Sequence, residues 1–507
     1  MQILSRRCMQ VGVLIFVTIA LALSAQAATF SKASLKGSYS FLTNLWTANV
    51  NTNEFATVGI LTFDGAGNVT GSYTSISGGV VQTGTLGGTY TINSNGTGTI
   101  TFATGSTAQF AITLDSTAAG VAHGVQLLQT NDSNNEIVSG TAVLQSTTAE
   151  TYSVASLKGN FAFQWNLWTA AVSEYQASDL GMMSLDGKGN ANAWSTIVAG
   201  GTSFTKTLTG TYAVNSDGSG TISLPGAQIV FVANSVAAGH VKGAQFIENC
   251  TSVGSGNYAI AGIVLSAQAT KFSNASLKGS YSFLTNLWTA NVNTSPFDMA
   301  GVMTFDGAGT VTGSYTSVTG GVAQSGALGG TYTVNSNGSG TITFTTGSTA
   351  QFAITLDSTA AKVAHGVQLL QTNDSSNEIV SGAAVLQATT AETYSGASLK
   401  GNFARQNNDW TADVNQAESG GTDLYTFDGK GNLKVLRQFV AGGVFHTGTT
   451  TGTYTVKPDG SGTLSQADGF SLAFALNSVA AGRAKGFQHL VLSVTGNYIS
   501  AGTALKQ

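Results

Sequence analysis

The sequence predicts an all-β protein of four tandem antiparallel up-and-down β-barrels, about eight strands each, arranged A-B-A′-B′. Three observations predict it. One unit of about 120 residues recurs four times; inside the unit, apolar and polar residues alternate with period two; and clusters of Gly, Asn and Asp break that alternation at the spacing of short hairpins.

The recurrence is carried by Ala33-Ser34-Leu35-Lys36-Gly37, which returns as Ala155 to Gly159, Ala275 to Gly279 and Ala397 to Gly401. Residues 30–153 and 272–395 differ at 21 of 124 ungapped positions, whereas the second and fourth units match the others only at scattered motifs. A two-unit ancestor duplicated as a block accounts for this order. It also keeps near-identical units from being neighbours, which limits misassembly between adjacent domains. The period is too long for a solenoid coil or a propeller blade, so each unit is a domain in its own right. The expected division is a signal peptide over 1–27 and barrels over 28–147, 148–269, 270–389 and 390–507.

Within the first unit Tyr39, Phe41, Thr43 and Leu45 alternate with Ser38, Ser40, Leu42 and Asn44, and the pattern returns at Tyr90 and Ile92, Ile100 and Phe102, and Phe110 to Leu114. Strands are expected to start near Gly37, Ala56, Asn68, Gly88, Gly98, Ala108, Val121 and Ile137. Between them lie turns such as Asp64-Gly65-Ala66-Gly67-Asn68, and Pro458 replaces Ser94, Ser216 and Ser336 at a turn position that suits proline. Closure into barrels follows from the scarcity of Pro, Lys and inward charges with which an open sheet blunts its edges. A single large outer-membrane barrel is the competing picture, disfavoured by short strands and the absence of a lipid-facing apolar band.

Arg6 and Arg7, an apolar run over Val11 to Leu23 and Ala25-Gln26-Ala27 have the order of a secretory signal peptide cleaved near Ala27, so a secreted, periplasmic or cell-surface location is expected. The run is too short to span a bilayer, and no transmembrane helix is expected in the mature chain. Cys8 leaves with the leader, so Cys250 has no internal disulfide partner. Charged residues are only 9% of the chain, and the mature protein carries 18 basic against 24 acidic residues. Nucleic acid is therefore excluded as a partner, since phosphate binding needs clustered cations.

Leu35-Lys36-Gly37-x-Tyr39-x-Phe41, Phe63-Asp64-Gly65-x-Gly67-Asn68 and Gly88-Thr89-Tyr90-Thr91-Ile92-Asn93-x-Asn95-Gly96-x-Gly98 together resemble the repeat of uncharacterised secreted bacterial β-repeat proteins. That resemblance covers all four units and implies no activity. The Leu-x-Gly-x-aromatic opening followed by Asp64 to Thr74 is also distantly similar to calycin-like barrels, the avidins and lipocalins, which implies ligand-holding barrels.

Comparison of A with B units selects candidate ligand-binding residues. Trp46, Trp168, Trp288 and Trp410, each followed by Thr-Ala, recur in all four, as do Gln126, Gln245, Gln368 and Gln488. A Trp at a strand end offers a flat face to a sugar or closes a barrel mouth, although packing is the plainer reading. The Gln amides are more simply read as satisfying a ladder or turn. No catalytic residue and no cofactor is expected. His123 and His365 become Lys242 and Lys485 in the B units, no His or Cys pair has metal-ligand spacing, and Asp64, Asp186, Asp306 and Asp428 are read as turn formers rather than calcium ligands. Glu54, Asp115, Asp132 and Glu136 are the acids left for a carboxylate pair, with Glu54 replaced by Pro296 in the third unit.

The function expected is non-enzymatic: a secreted or cell-surface repeat protein with a structural or adhesive, multivalent weak-binding role, its partner an extracellular glycan. The alternative is a calycin-like carrier of small apolar ligands, one per barrel. A barrel isomerase or glycosidase stands third, to be recognised by charged side chains with shifted pKa values inside one barrel.

Overall fold

The computed structural model describes residues 29–507 except 47–54, 78–79, 116, 119, 132–136, 147–149, 170–176, 237–238, 251–257, 268–270, 290–296, 358, 361, 375–377, 390–391, 412–418 and 493–497. The expected leader, 1–27, lies outside the described residues.

Four closed eight-stranded barrels follow one another along the chain, with antiparallel pairings between successive strands and between the first strand and the eighth. This is the predicted architecture, and it replaces the single large barrel. In barrel 1 the strands are Lys36–Trp46, Phe55–Asp64, Asn68–Ser77, Val80–Ile92, Thr97–Thr104, Gln109–Leu114, Gly124–Gln129 and Ile137–Ser146. Closure runs through the first strand, where Phe41 faces Gly59 of the second and Ala142 of the eighth. Among the described residues no helix is long and apolar enough to cross a membrane.

Two strands differ from expectation. The fourth starts at Val80, not Gly88, because its outer half pairs with the third strand alone, and the glycines read as its beginning form a bulge at Gly87/Gly88. The seventh starts at Gly124, because Val121-Ala122 pairs with Thr117-Ala118 in a small ribbon outside the barrel.

The repeated motifs meet at one end of each barrel. Tyr90 donates its hydroxyl to the Leu35 carbonyl (2.8 Å), as Tyr212 does to Leu157, Tyr332 to Leu277 and Tyr454 to Leu399. The stem of Lys36 lies over Gly65, which has φ +78°, and Lys158, Lys278 and Lys400 cover Gly187, Gly307 and Gly429 likewise. Asp64 accepts the N–H groups of Ala66, Gly67 and Asn68, which holds its carboxyl well below the ordinary range. These Asp residues shape hairpins.

Inside, Tyr39, Phe41, Leu61, Phe63, Tyr90, Ile100 and Phe110 belong to the apolar core of barrel 1. Phe41 covers Gly59 so closely that a Cβ there would sit 2.5 Å from its ring, and Phe163 over Gly181 and Phe283 over Gly301 repeat the pair. The outer faces are apolar as well, for a different reason. Leu42, Ala56, Val58, Ile60 and Ile76 of barrel 1 pack on Val232 and Ile247 of barrel 2. Leu180 and Val198 of barrel 2 pack on Ala353, Leu370 and Ile379 of barrel 3, and Leu284, Ala300 and Val318 of barrel 3 on Ala473, Leu490 and Ala501 of barrel 4. Val440 of barrel 4 then packs on Leu128 and Ile137 of barrel 1.

The four barrels therefore close a ring. Each seam sets strands among the first three of one barrel against strands among the sixth to eighth of the next, and the last seam repeats the first and third at the level of single bonds. Gln145, near the end of the eighth strand of barrel 1, donates to Ala233 O in barrel 2 (3.0 Å); Gln387, near the end of the eighth strand of barrel 3, donates to Leu476 O in barrel 4 (2.7 Å); and Gln507 donates to the corresponding Leu114 O in barrel 1 (2.8 Å). A head-to-tail contact that returns to its start is cyclic, so like ends of the four barrels lie on one side of the ring.

Candidate functional site

The four candidate Gln residues lie on the seventh strands with their side chains turned away from the barrel interiors, each nearly fully buried. Gln245 donates to Thr141 Oγ1 of barrel 1 (2.9 Å) and accepts from Ser40 Oγ (3.0 Å), and Gln488 donates to Ala383 O of barrel 3 (3.1 Å). Gln126 and Gln368 hold the same position in barrels 1 and 3. The structure thus places this set in the seams. The Trp residues end the first strands, paired in register as Trp46 with Ile137, Trp168 with Ala259, Trp288 with Ile379 and Trp410 with Ile499. Their side chains lie outside the described residues, as do Glu54, Asp132 and Glu136. Asp115 accepts the Gly124 N–H (2.6 Å) beside the small ribbon, far from the strand ends that carry Trp46.

The barrel interiors diverge at the Trp-bearing end. Barrel 1 holds a cavity of about 190 Å³ lined by Phe41, Thr57, Leu61, Tyr73, Phe102 and Phe110. In barrel 3 the counterparts of Thr57 and Leu61 are Met299 and Met303, both buried in its core. Two of the few differences between the near-identical copies thus fall on the cavity wall, where an unbranched flexible side chain fills space.

Barrel 2 holds a cavity of about 240 Å³ whose wall includes Trp165, Phe163, Phe204, Asp179, Ser195 and Glu248, with Lys206 at its exposed rim. Both acids are buried, and Asp179 Oδ1 has no hydrogen-bond partner. Burial, and then the neighbouring Glu248, pushes Asp179 well above the carboxylate range; Ser195 and Lys206 act the other way. Burial pushes Glu248 up to about 7 against the pull of Lys206. At neutral pH the pair holds protons that acids in water have lost, the feature by which a barrel isomerase or glycosidase is to be recognised.

Barrel 4 has charges too, and they pair with one another, while the buried Nδ1 of His489 is left without a hydrogen-bond partner. Arg405 stands where the other barrels have Phe41, Phe163 and Phe283, and Asp423 where they have Gly59, Gly181 and Gly301. The guanidinium donates to Asp423 (2.7 Å), to Asn407 (2.8 Å) and through Nε to His489 Nε2 (2.8 Å). Asp423 also accepts the Gln438 N–H, and Gln466 donates to the Tyr425 hydroxyl. Above them Arg437 pairs with Asp468 (2.8 Å) and lies on Phe439 and Phe470. Because His489 Nε2 accepts a hydrogen bond, its proton sits on Nδ1; burial and the adjacent Arg405 hold its pKa well below the usual histidine value.

Sequence reasoning missed both polar interiors, because it sought positions that the copies share. The signal lay in the departures: Asp179 corresponds to Thr57, Met299 and Gly421, Glu248 to Gln129, Gln371 and Val491, and Lys206 to Gly84, Gly326 and Gly448. Among the described residues no group of three or more His, Cys, Asp or Glu could hold a metal ion.

No family model matches the chain, and no curated protein matches it. Among solved structures it is similar to kievitone hydratase from Nectria haematococca, at 11% identity and TM-score 0.17 over 48% of this chain and 94% of that one. It is also similar to a protein of unknown function of the DUF3598 family from Nostoc punctiforme, at 13% identity and TM-score 0.16 over 46% and 98%. A third, transferrin binding protein B from Neisseria meningitidis, gives 7% identity and TM-score 0.20 over 79% and 84%.

Proposed function

We propose that this chain is an exported, non-enzymatic repeat protein whose ring of barrels presents four like barrel mouths to one extended partner, an extracellular glycan, each mouth making a weak contact. The observation that carries the reading is the equivalence of the seams: it puts corresponding ends on one side, and apolar seams hold them in fixed geometry. Four weak sites on a rigid frame bind a repeating surface far more tightly than one site does, without any new contact. The strand ends at these mouths carry Trp46, Trp168, Trp288 and Trp410, and exposed apolar residues stand on the adjoining hairpins at Val80, Phe204, Val322 and Val444.

Retention of the intact protein on cellulose, chitin and the host's own cell-wall polysaccharide tests this, with Trp→Ala changes added one barrel at a time. Each change should weaken retention by roughly tenfold or more, cumulatively, with the melting temperature nearly unchanged. Retention unaltered by all four changes, or abolished by any one, refutes the multivalent reading.

A second reading, a carrier of small apolar ligands, is favoured by the cavity of barrel 1 and by the resemblance to calycin-like barrels. Native mass spectrometry of the exported protein from its own host tests it: a discrete extra mass lost on unfolding supports a carrier, and a bare polypeptide mass counts against one.

A further inference from the structure

We infer that the cavity of barrel 2 is a binding site for a small organic cation, an ammonium group on an aromatic or aliphatic body, received by Asp179 and Glu248 and by the aromatic wall of Trp165, Phe163 and Phe204. This site lies inside one barrel only and shares just Phe204, at its mouth, with the multivalent surface.

The scaffold does not need these acids. Barrels 1, 3 and 4 build the same eight strands with Thr57, Met299 and Gly421 in place of Asp179, and with Gln129, Gln371 and Val491 in place of Glu248. Moving a carboxyl group out of water into an apolar interior is unfavourable unless something there receives it. Barrel 4 shows how this protein treats buried charge that serves packing: Asp423 accepts from Arg405 and from the Gln438 N–H, and Arg405 donates in turn to Asn407. In barrel 2 the acids line open space instead, and Asp179 Oδ1 accepts no hydrogen bond.

The chemistry of the ligand follows from what the wall offers and lacks. The titratable groups on the cavity are Asp179, Glu248 and Lys206, and Lys206 is exposed at the rim. With both acids ionised the wall carries one negative charge in excess, so one positive charge on the ligand balances it. A primary ammonium brings three donors, enough for Asp179 Oδ1 and Glu248 together. Trp165, Phe163 and Phe204 supply faces that attract a cation and bury its apolar body. A neutral or anionic ligand uses the aromatic faces but leaves the acids unbalanced.

Phenethylamine and its neutral counterpart phenethyl alcohol are suitable probes, titrated calorimetrically into the intact protein. The amine should bind once per chain, at least about tenfold more tightly than the alcohol. Its affinity should rise as pH increases through about 7, and binding should release protons, read from the dependence of the heat on buffer. The change Asp179→Asn with Glu248→Gln keeps shape and removes charge; it should weaken the amine by about tenfold or more and leave the alcohol unaffected. Proton release is measured on the unaltered protein, so the inference stays open to refutation even where the variant folds poorly. Equal binding of amine and alcohol, no binding, four sites per chain, or amine binding indifferent to the double change would each overturn it.

Discussion

Barrels 2 and 4 are both B-type units on one scaffold, and both carry charge in their interiors, yet they hold it in opposite ways. In barrel 4 the Phe–Gly pair of the other barrels has become Arg405 and Asp423, and His489 completes a network that faces inward on itself. In barrel 2 the Phe163–Gly181 pair is kept, and two acids, Asp179 two residues before Gly181 on the second strand and Glu248 on the seventh, line a cavity. Charge matched inside a fold is packing, whereas charge left facing space asks for a partner from outside. The difference also predicts opposite responses to pH.

The largest effect should come from breaking the matched pair. Arg405→Leu leaves the buried Asp423 without its cation and should cost about 3–5 kcal/mol, read from urea unfolding of the intact chain. Installing the arrangement of barrel 2, with Phe163, Gly181 and Phe246, through Arg405→Phe, Asp423→Gly and His489→Phe together should recover most of the loss or exceed the parent, because a well-packed apolar set replaces a buried ion pair at little cost. If the single change is silent, the network is not holding barrel 4 together.

Next in size is the unmatched pair. Glu248 has a folded pKa of about 7, above its ordinary 4.5, so the folded state holds a proton that the unfolded state has lost. Its burial therefore weakens the protein progressively as pH rises from about 4.5 to about 7. Asp179→Asn with Glu248→Gln should stabilise by an amount on the order of 1–3 kcal/mol above that window and by little below it. The sign reverses in barrel 4: His489 is held neutral with a lowered pKa, so its contribution is lost as pH falls below 6.5, the ordinary value of a histidine. His489→Phe should flatten that acid limb. Parallel pH profiles for the two variants would erase the contrast between the barrels.

Smallest is the seam amide. Gln245→Ala removes hydrogen bonds to Thr141 and Ser40 across the first seam and should cost about 1–2 kcal/mol. Hydrogen exchange should report it at barrels 1 and 2 while barrels 3 and 4 stay protected; uniform loss would mean that the ring unfolds as a single unit.

The barrels were legible because their causes are local. Alternation over Tyr39 to Leu45 sets the pleat, and the Asp64 turn is closed by its own backbone N–H groups. The ring was not legible, although its residues were in view: Leu42, Val58 and Ile60 sit between inward-facing neighbours and make the strands apolar on both faces, which marks a second buried surface without naming what covers it. The Gln residues were correctly singled out as recurring, and only the partner barrel explains why an amide recurs on an outer face. Asp179 and Glu248 were invisible to a search for agreement among copies, since a site in one barrel shows as disagreement.

Closure of the ring bears on how such a chain could arise. The A-to-B seam and the B-to-A seam alternate, so two separate A-B chains contain every contact the ring requires. A two-barrel ancestor could assemble as a pair with the same four seams, at a stability that depends on its concentration. Joining the two copies end to end makes that assembly intramolecular and independent of dilution. It also frees each half to diverge alone, and the two B units differ in this way, one pairing its charges and the other leaving them on a cavity. The same logic makes the order of the barrels cyclic: a chain permuted to begin at barrel 2 and to end with barrel 1 should fold to the same ring.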